Sequence, residues 1–177
     1  MTIEELYLAS VIKRFQEHKI LAEKTFAQLN NEEMHVQQNE ASNSIAIIIQ
    51  HMHGNMLSRW TNFLTEDGEK NWRKRDDEFE NSTLSKEQLT QLWDEGWRVF
   101  FDTLNSLTPE NLSHTITIRS QPLNVIDAIN RQLAHYSYHV GQIVFIGKWL
   151  KADDWKTLSI AKGKSKAFNQ QLTEKEK

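Results

Sequence analysis

Two histidines one helical turn apart open the chemistry available to this chain. In His135-Tyr-Ser-Tyr-His139 the i, i+4 spacing puts both imidazoles on one helix face with Cβ atoms about 6 Å apart, close enough to converge on one ion. The pair lies on the shoulder of an apolar seam, where a neighbouring helix could supply a third ligand. The stretch Gln50-His51-Met52-His53-Gly54-Asn55 offers that ligand. His51 and His53 face different ways, so at most one of them joins, and periodicity does not choose: each lies at a shoulder of the Met52 stripe. There is no cysteine, which excludes disulfides, thiolate zinc sites and a cysteine nucleophile together. A metal must therefore sit on His, Asp, Glu or water. Three neutral imidazoles leave a divalent ion its full charge and at least one open position, the arrangement of a catalytic rather than a structural site. Such an ion could bind a thiol as thiolate or activate water. Zn2+ or Ni2+ suits imidazole best, and Mn2+ or Fe2+ is compatible.

Other polar groups fall near these histidines. Asn55 and Arg59 lie one and two turns beyond His51, and Gln142 one turn after His139. The Gln142 amide can orient a ligand, contact a substrate or serve helix packing. Arg59 sits on an apolar stripe, where a charge needs a partner; with Arg73 and Arg75 of the following loop it is a candidate to bind a carboxylate bidentately. The plainer reading pairs these arginines with Asp67, Asp76, Asp77 or Glu78. His18 falls on a core stripe and reads as a buried histidine with one hydrogen bond or as a group supporting the metal ligands, while His35 and His114 sit in predicted connections and read as solvated. Gly163-Lys164-Ser165 lacks the upstream glycine and preceding strand of a phosphate-binding loop.

Long helices must position these groups. The 177 residues suit one domain, and six glycines and two prolines leave four uninterrupted periodic stretches. The first helix spans about Thr2 to Leu29, with Thr2 as N-cap and Leu8, Val11, Phe15, Ala22 and Leu29 on its stripe. The second runs from about Ser44 to Leu64, with Ile45, Ile48, Ile49, Met52, Met56, Trp60 and Phe63 inward, and stops at Thr65-Glu-Asp-Gly68. Ser85-Lys-Glu-Gln88 opens the third with capping-box spacing. The fourth, about Leu123 to Leu150, has the cleanest seam: Ile126, Ile129, Leu133, Tyr136, Val140, Ile143, Gly147, Leu150. Thr115-Ile-Thr-Ile118 allows a small hairpin, and Trp155 with its basic surroundings is expected to fold back onto the helices or onto a partner. A formal net charge of -3 offers no pull toward nucleic acid. No basic leader precedes an apolar core and no apolar run reaches a membrane span. A soluble, cytoplasmic protein without membrane or nucleic-acid partners is expected.

The isoleucine-rich second helix with His51 after Ile47-Ile-Ile49, and a late helix carrying Leu-Ala-His135-Tyr-Ser-Tyr-His139-Val-Gly-Gln142-Ile, together resemble the DinB-like superfamily of metal-binding proteins. The segments Gly54 to Phe63, Asp67 to Lys70 and Trp72 to Asp76 are similar to an uncharacterised subfamily of Bacillus-type bacteria. The resemblance spans Leu6 to about Phe168. It implies an all-α, DinB-like four-helix bundle with long connecting loops over residues 1–168, followed by a disordered tail, 169–177. It implies the metal ligands His51, His135 and His139, leaving His53 as a surface or supporting group. Related proteins include thiol S-transferases that use bacillithiol or mycothiol, and a mycothiol-dependent maleylpyruvate isomerase. The expected activity is therefore S-transfer from a small thiol, with bacillithiol the candidate co-substrate, to a small electrophile, with Asn55, Arg59 and Gln142 contacting substrate. Metal-dependent hydrolysis and non-catalytic metal or ligand binding are the alternatives. The resemblance carries over neither a substrate nor a catalytic residue. Relatives are often homodimers, and Trp72, Phe79, Trp93 and Trp97 exceed what one core plainly needs, so a homodimer is expected.

Overall fold

The computed structural model describes residues 1–175. Its main elements are helices α1 (Ile3–Phe26), α2 (Ile45–Trp60), α3 (Lys86–Ser106), α4 (Val125–Lys151) and α5 (Ser165–Lys175), with one hairpin of strands β1 (Thr115–Ile118) and β2 (Gln121–Asn124). Each long helix begins where a side-chain oxygen takes an otherwise unpaired backbone N–H. Thr2 and Ser85 form capping boxes with Glu5 and Gln88, Ser44 accepts from the Ile47 amide, and Asn124 accepts from that of Asp127.

Helix α2 packs along α3 and α1 along α4, while α2 meets α4 over a shorter stretch. Helix α2 is buried nearly all round, with Ile45 to Ile49, Met52, Met56 and Trp60 in the core, as expected for a helix that other elements enclose. Phe15, Trp60, Trp97, Phe100 and Tyr136 form an edge-to-face aromatic cluster with centroid separations such as 4.5 Å for Phe15 and Phe100. Rings in that geometry add about 0.5–1.5 kcal/mol per pair beyond the area they bury. The Trp60 indole N–H donates to the Tyr136 hydroxyl at 3.2 Å, so this polar atom does not stay unpaired in the core.

Several expectations change. Helix α2 ends at Trp60, not Leu64, because Asn62 turns into the left-handed region (φ 52°), which asparagine tolerates; Phe63 nevertheless stacks on Trp60. The α4 seam starts with Val125, fully buried, whereas Ile126 is 38% exposed. Helix α4 begins at Val125, whose amide donates to the His114 carbonyl. Trp93 and Trp97 lie in the core, and Phe79 packs on a histidine ring. Only Trp72 of the four supposed surplus aromatics is largely exposed, so the surplus does not argue for a partner. The larger exposed apolar side chains cluster instead as Tyr138, Phe145 and Trp149 along α4. Residues from 169, expected to be disordered, continue α5 to Lys175, and 176–177 lie outside the described residues. The Trp155 segment folds back: the Gln28 amide side chain bonds both the carbonyl and the N–H of Lys156. No helix among the described residues is long and apolar enough to cross a membrane.

The hairpin pairs Thr115 with Asn124 through Ile118 with Gln121. Its two turn residues, Arg119 (φ 55°) and Ser120 (φ 59°), both occupy the left-handed region. A two-residue turn of that kind prefers Asn-Gly. Here the Asp67 carboxylate holds it, accepting from the Arg119 and Ser120 amides at 2.9 and 2.8 Å and from the Glu69 amide at 2.7 Å.

Candidate metal centre

Helix α4 presents His135 and His139 toward His51 of α2. The Nε2 atom of His135 lies 3.3 Å from that of His51 and 3.0 Å from that of His139. One ligand nitrogen from each residue falls within 4.8 Å of the others. Nitrogens bound to one tetrahedral ion at about 2.0–2.1 Å stand about 3.3 Å from each other, close to the two separations that His135 makes.

The outer nitrogens support the same reading. His51 Nδ1 lies 3.0 Å from a Glu78 carboxylate oxygen, and His139 Nδ1 3.0 Å from the Gln142 side-chain carbonyl. Both partners only accept at those atoms, so each Nδ1 carries the hydrogen and each Nε2 turns a lone pair inward. Lone pairs this close repel unless a proton or a cation lies between them. Burial, and then the neighbouring imidazoles, push His135 down to about 3, with Arg131 and Arg73 adding to the effect. Burial and then His51 push His139 down to about 4, against the Gln142 hydrogen bond. Both rings are neutral near pH 7, the protonation state a ligand requires.

Glu78 comes from the short turn Asp76–Phe79 that packs on α2. Arg73 grips it with two hydrogen bonds, 2.7 and 2.8 Å. Burial works to raise the Glu78 carboxyl, but the hydrogen bonds from Arg73 and His51 outweigh it and hold the group below its ordinary range. Gly54, one turn beyond His51, makes room for this carboxylate: a Cβ there would overlap it. Phe79 lays its ring 4.8 Å from that of His51.

Beside His51 and His135 opens a cavity of about 140 Å³ lined by Asn55 and by Arg59, Arg73, Arg75, Arg119 and Arg131. Asn55 and Arg59, expected near substrate, both reach its wall. The Asn55 side-chain oxygen is already engaged, accepting from Gln132 at 2.7 Å and Tyr136 at 3.2 Å. Arg59 is buried, bonded to the Gly68 carbonyl and to Glu69 at 3.0 Å. Gln142 orients His139, and its other surroundings are a separate groove of about 590 Å³ along α4.

His53 turns away and meets Glu95 at 2.9 Å. His18 contacts the Ser137 hydroxyl at 3.2 Å, outside the histidine triad. His35, expected to be solvated, is half-buried against the Leu84 carbonyl at 3.0 Å; His114 is exposed. Sequence reasoning missed Glu78 as the partner of His51 and both Arg119 and Arg131 as cavity residues. The one local signal for Glu78 was Gly54, a residue that costs about 1 kcal/mol in a helix interior and so points to close approach by another group.

The chain matches, over residues 2–164, a family described as "Protein of unknown function (DUF1572)". No curated protein matches it.

Proposed function

Since the chain belongs to the DUF1572 family, a DinB-like family, we propose that it is a divalent-metal-dependent enzyme that transfers a small thiol to an electrophilic small molecule. The observation that carries this reading is the convergence of three Nε2 atoms whose two outer partners, Glu78 and Gln142, aim lone pairs at one point. His51, His135 and His139 would hold Zn2+ or Ni2+. An ion bound there supplies positive charge that lowers the pKa of a thiol nearby. Glu78 keeps the His51 ring in one tautomer and orientation, Gln142 does the same for His139, and Phe79 shields the His51 face from water. The packing of these helices supports a DinB-like four-helix bundle as the frame.

Thiol transfer is favoured over hydrolysis by the cavity lining, which contains no carboxylate. The carboxylates that meet its arginines, Glu69, Glu78 and Asp76, are each paired with at least one of them. Water as nucleophile must shed two protons and gains from a general base, whereas a thiol sheds one at an ordinary pKa of about 8.5.

Adding bacillithiol or cysteine to the Co2+-loaded protein tests this. A sulfur-to-cobalt charge-transfer band, and metal-dependent conjugation of the thiol to monochlorobimane, are expected. Metal-replete protein that neither ligates nor conjugates any of a panel of small thiols, yet cleaves an ester without thiol, would replace transfer by hydrolysis.

A further inference from the structure

Five guanidinium groups around so small a cavity are more than their acidic neighbours neutralise. Arg59 and Arg119 share the single carboxylate of Glu69, at 3.0 and 2.8 Å. Arg73 is matched by Glu78, which also serves His51. Arg75 lies 5.0 Å over the Phe79 ring, and its one ion pair among the described residues is with the fully exposed Asp76, at 3.7 Å, a contact that solvent screens. Arg131 makes no ion pair among the described residues, and its nearest acceptor is the Gln132 amide oxygen at 3.5 Å. Five positive charges thus face three carboxylates.

One of the five is also short of a partner in the interior. Arg59 is 4% exposed, and its Nε–H has no acceptor. A buried guanidinium donor without an acceptor is costly, and four further arginines at the same wall repel it. A fork of guanidinium donors matches the paired oxygens of a carboxylate or a phosphoryl group.

We infer that this cavity binds the dianionic oxyanion end of a small substrate, a phosphoryl group or a pair of carboxylates, with Arg59, Arg119 and Arg131 as its donors. The inference builds on the proposed metal centre, because His51 and His135 belong to the same wall: an anion seated there places the rest of its molecule next to the three imidazoles. The Asp67-held turn has a purpose in this arrangement, since it carries Arg119 to the cavity. The hairpin, otherwise remote from the helices' chemistry, becomes part of the binding wall.

Titration calorimetry on the full chain, in metal-loaded form and after chelator stripping and dialysis, tests the assignment with inorganic phosphate and with succinate. At least one of them should bind at one per chain, and which one binds identifies the oxyanion. Arg131→Gln and Arg119→Gln, both at exposed positions, should each weaken binding by about tenfold or more, the usual size for loss of a charged hydrogen bond. Arg98→Gln, on α3 beside Asp102, should leave it unchanged. Absence of binding by both anions, or equal binding by both cavity variants and the parent protein with helical circular dichroism retained, overturns the inference. Metal content measured on the same samples separates the two readings. Protein that holds metal but neither anion loses only the anion site; protein that binds an anion but no metal loses the metal centre and keeps the arginine cavity.

Discussion

The α4 wall of the site and the wall facing it are held by different physics. On α4, His135 and His139 take their mutual position from helix geometry alone, and the seam of Ile129, Tyr136, Val140 and Ile143 fixes the helix against the core. Across from them, the 65–80 connection and the β1–β2 hairpin have few buried apolar side chains. Their shape depends on carboxylates: Asp67 gathers three backbone amides, Glu69 joins Arg59 to Arg119, and Glu78 joins Arg73 to His51. A helical wall tolerates change at any one exposed residue because many small contacts hold it. A wall held by a few charged hydrogen bonds can lose its geometry with one of them, and this wall carries the arginines that line the cavity beside His51 and His135.

The largest expected effect lies on the helical wall. His135→Ala removes the imidazole whose Nε2 lies nearest both others, and His139→Ala removes its neighbour. Either should reduce bound divalent metal from about one ion per chain, as three-ligand sites hold, to near none, with the helical circular dichroism spectrum retained. Stoichiometric metal in the double variant, measured by plasma emission spectrometry, would break the assignment of α4 as the ligand wall.

Next in size is the link between the walls. Glu78→Gln keeps the shape of the side chain but removes the charge that Arg73 and His51 share. Loss of a group that orients a ligand typically costs 10- to 100-fold in metal affinity, so competition with a chromophoric chelator should show a drop of that order. Gly54→Ala should fall in the same direction, because the added methyl occupies the space of the Glu78 carboxylate. Unchanged affinity in both variants would mean that the turn Asp76–Phe79 covers the site without tuning it.

This contrast also marks what could be read from the amino-acid order. Histidines four apart on a periodic helix are legible because the helix supplies their geometry, and the caps Thr2, Ser44 and Ser85 are legible because they obey local rules. The choice of His51 over His53 was not legible from periodicity; the resemblance favoured His51, and His51 is the one that faces α4. Glu78 was legible as a partner for an arginine, but its link to His51, like that of Glu69 to Arg119, was hidden for a stronger reason. The partners lie 27 to 50 residues apart across irregular backbone, and no spacing rule links them. The hairpin was half legible: alternation marked β1, but Arg119-Ser120 is a poor sequence for a turn with two positive φ angles, and only the distant Asp67 makes it viable.

That dependence predicts a smaller, pH-linked effect. The Glu69 amide, followed by those of Ser120 and Arg119, holds the Asp67 carboxyl down to about 2 from its ordinary 3.8. A depressed carboxyl stabilises the folded form at pH above 3.8, and that contribution is lost as the pH falls through about 2. Asp67→Asn should therefore lower the melting temperature at pH 7 and narrow the gap to the parent protein as the pH approaches 2. Ser120→Gly should raise it modestly, by relieving a left-handed residue at a cost of about 1 kcal/mol. A gap between Asp67→Asn and the parent that stays constant from pH 7 to pH 2 would show that the turn does not rely on this carboxylate.

The smallest expected effect is at His53, and its smallness is informative. His53 is two residues from His51 and of the same type, yet its ring leaves the site for Glu95, with side chains 17% and 49% exposed. A polar contact so open to solvent contributes about 0–1 kcal/mol, and alanine leaves in place the His53 Cα that lies against Gly96. His53→Ala should therefore retain metal affinity within about twofold, since a group that orients no ligand lies outside the 10- to 100-fold class, and should shift the melting temperature little. His51→Ala, by contrast, should release the metal as the α4 variants do. If the two α2 variants lost metal equally, one helix face could not be the source of the third ligand, because residues two apart on a helix point about 200° from each other. Helix α2 would then have to rotate or unwind near Gly54 when the ion binds, and the division between a rigid helical wall and an adaptable loop wall would fail on the α2 side.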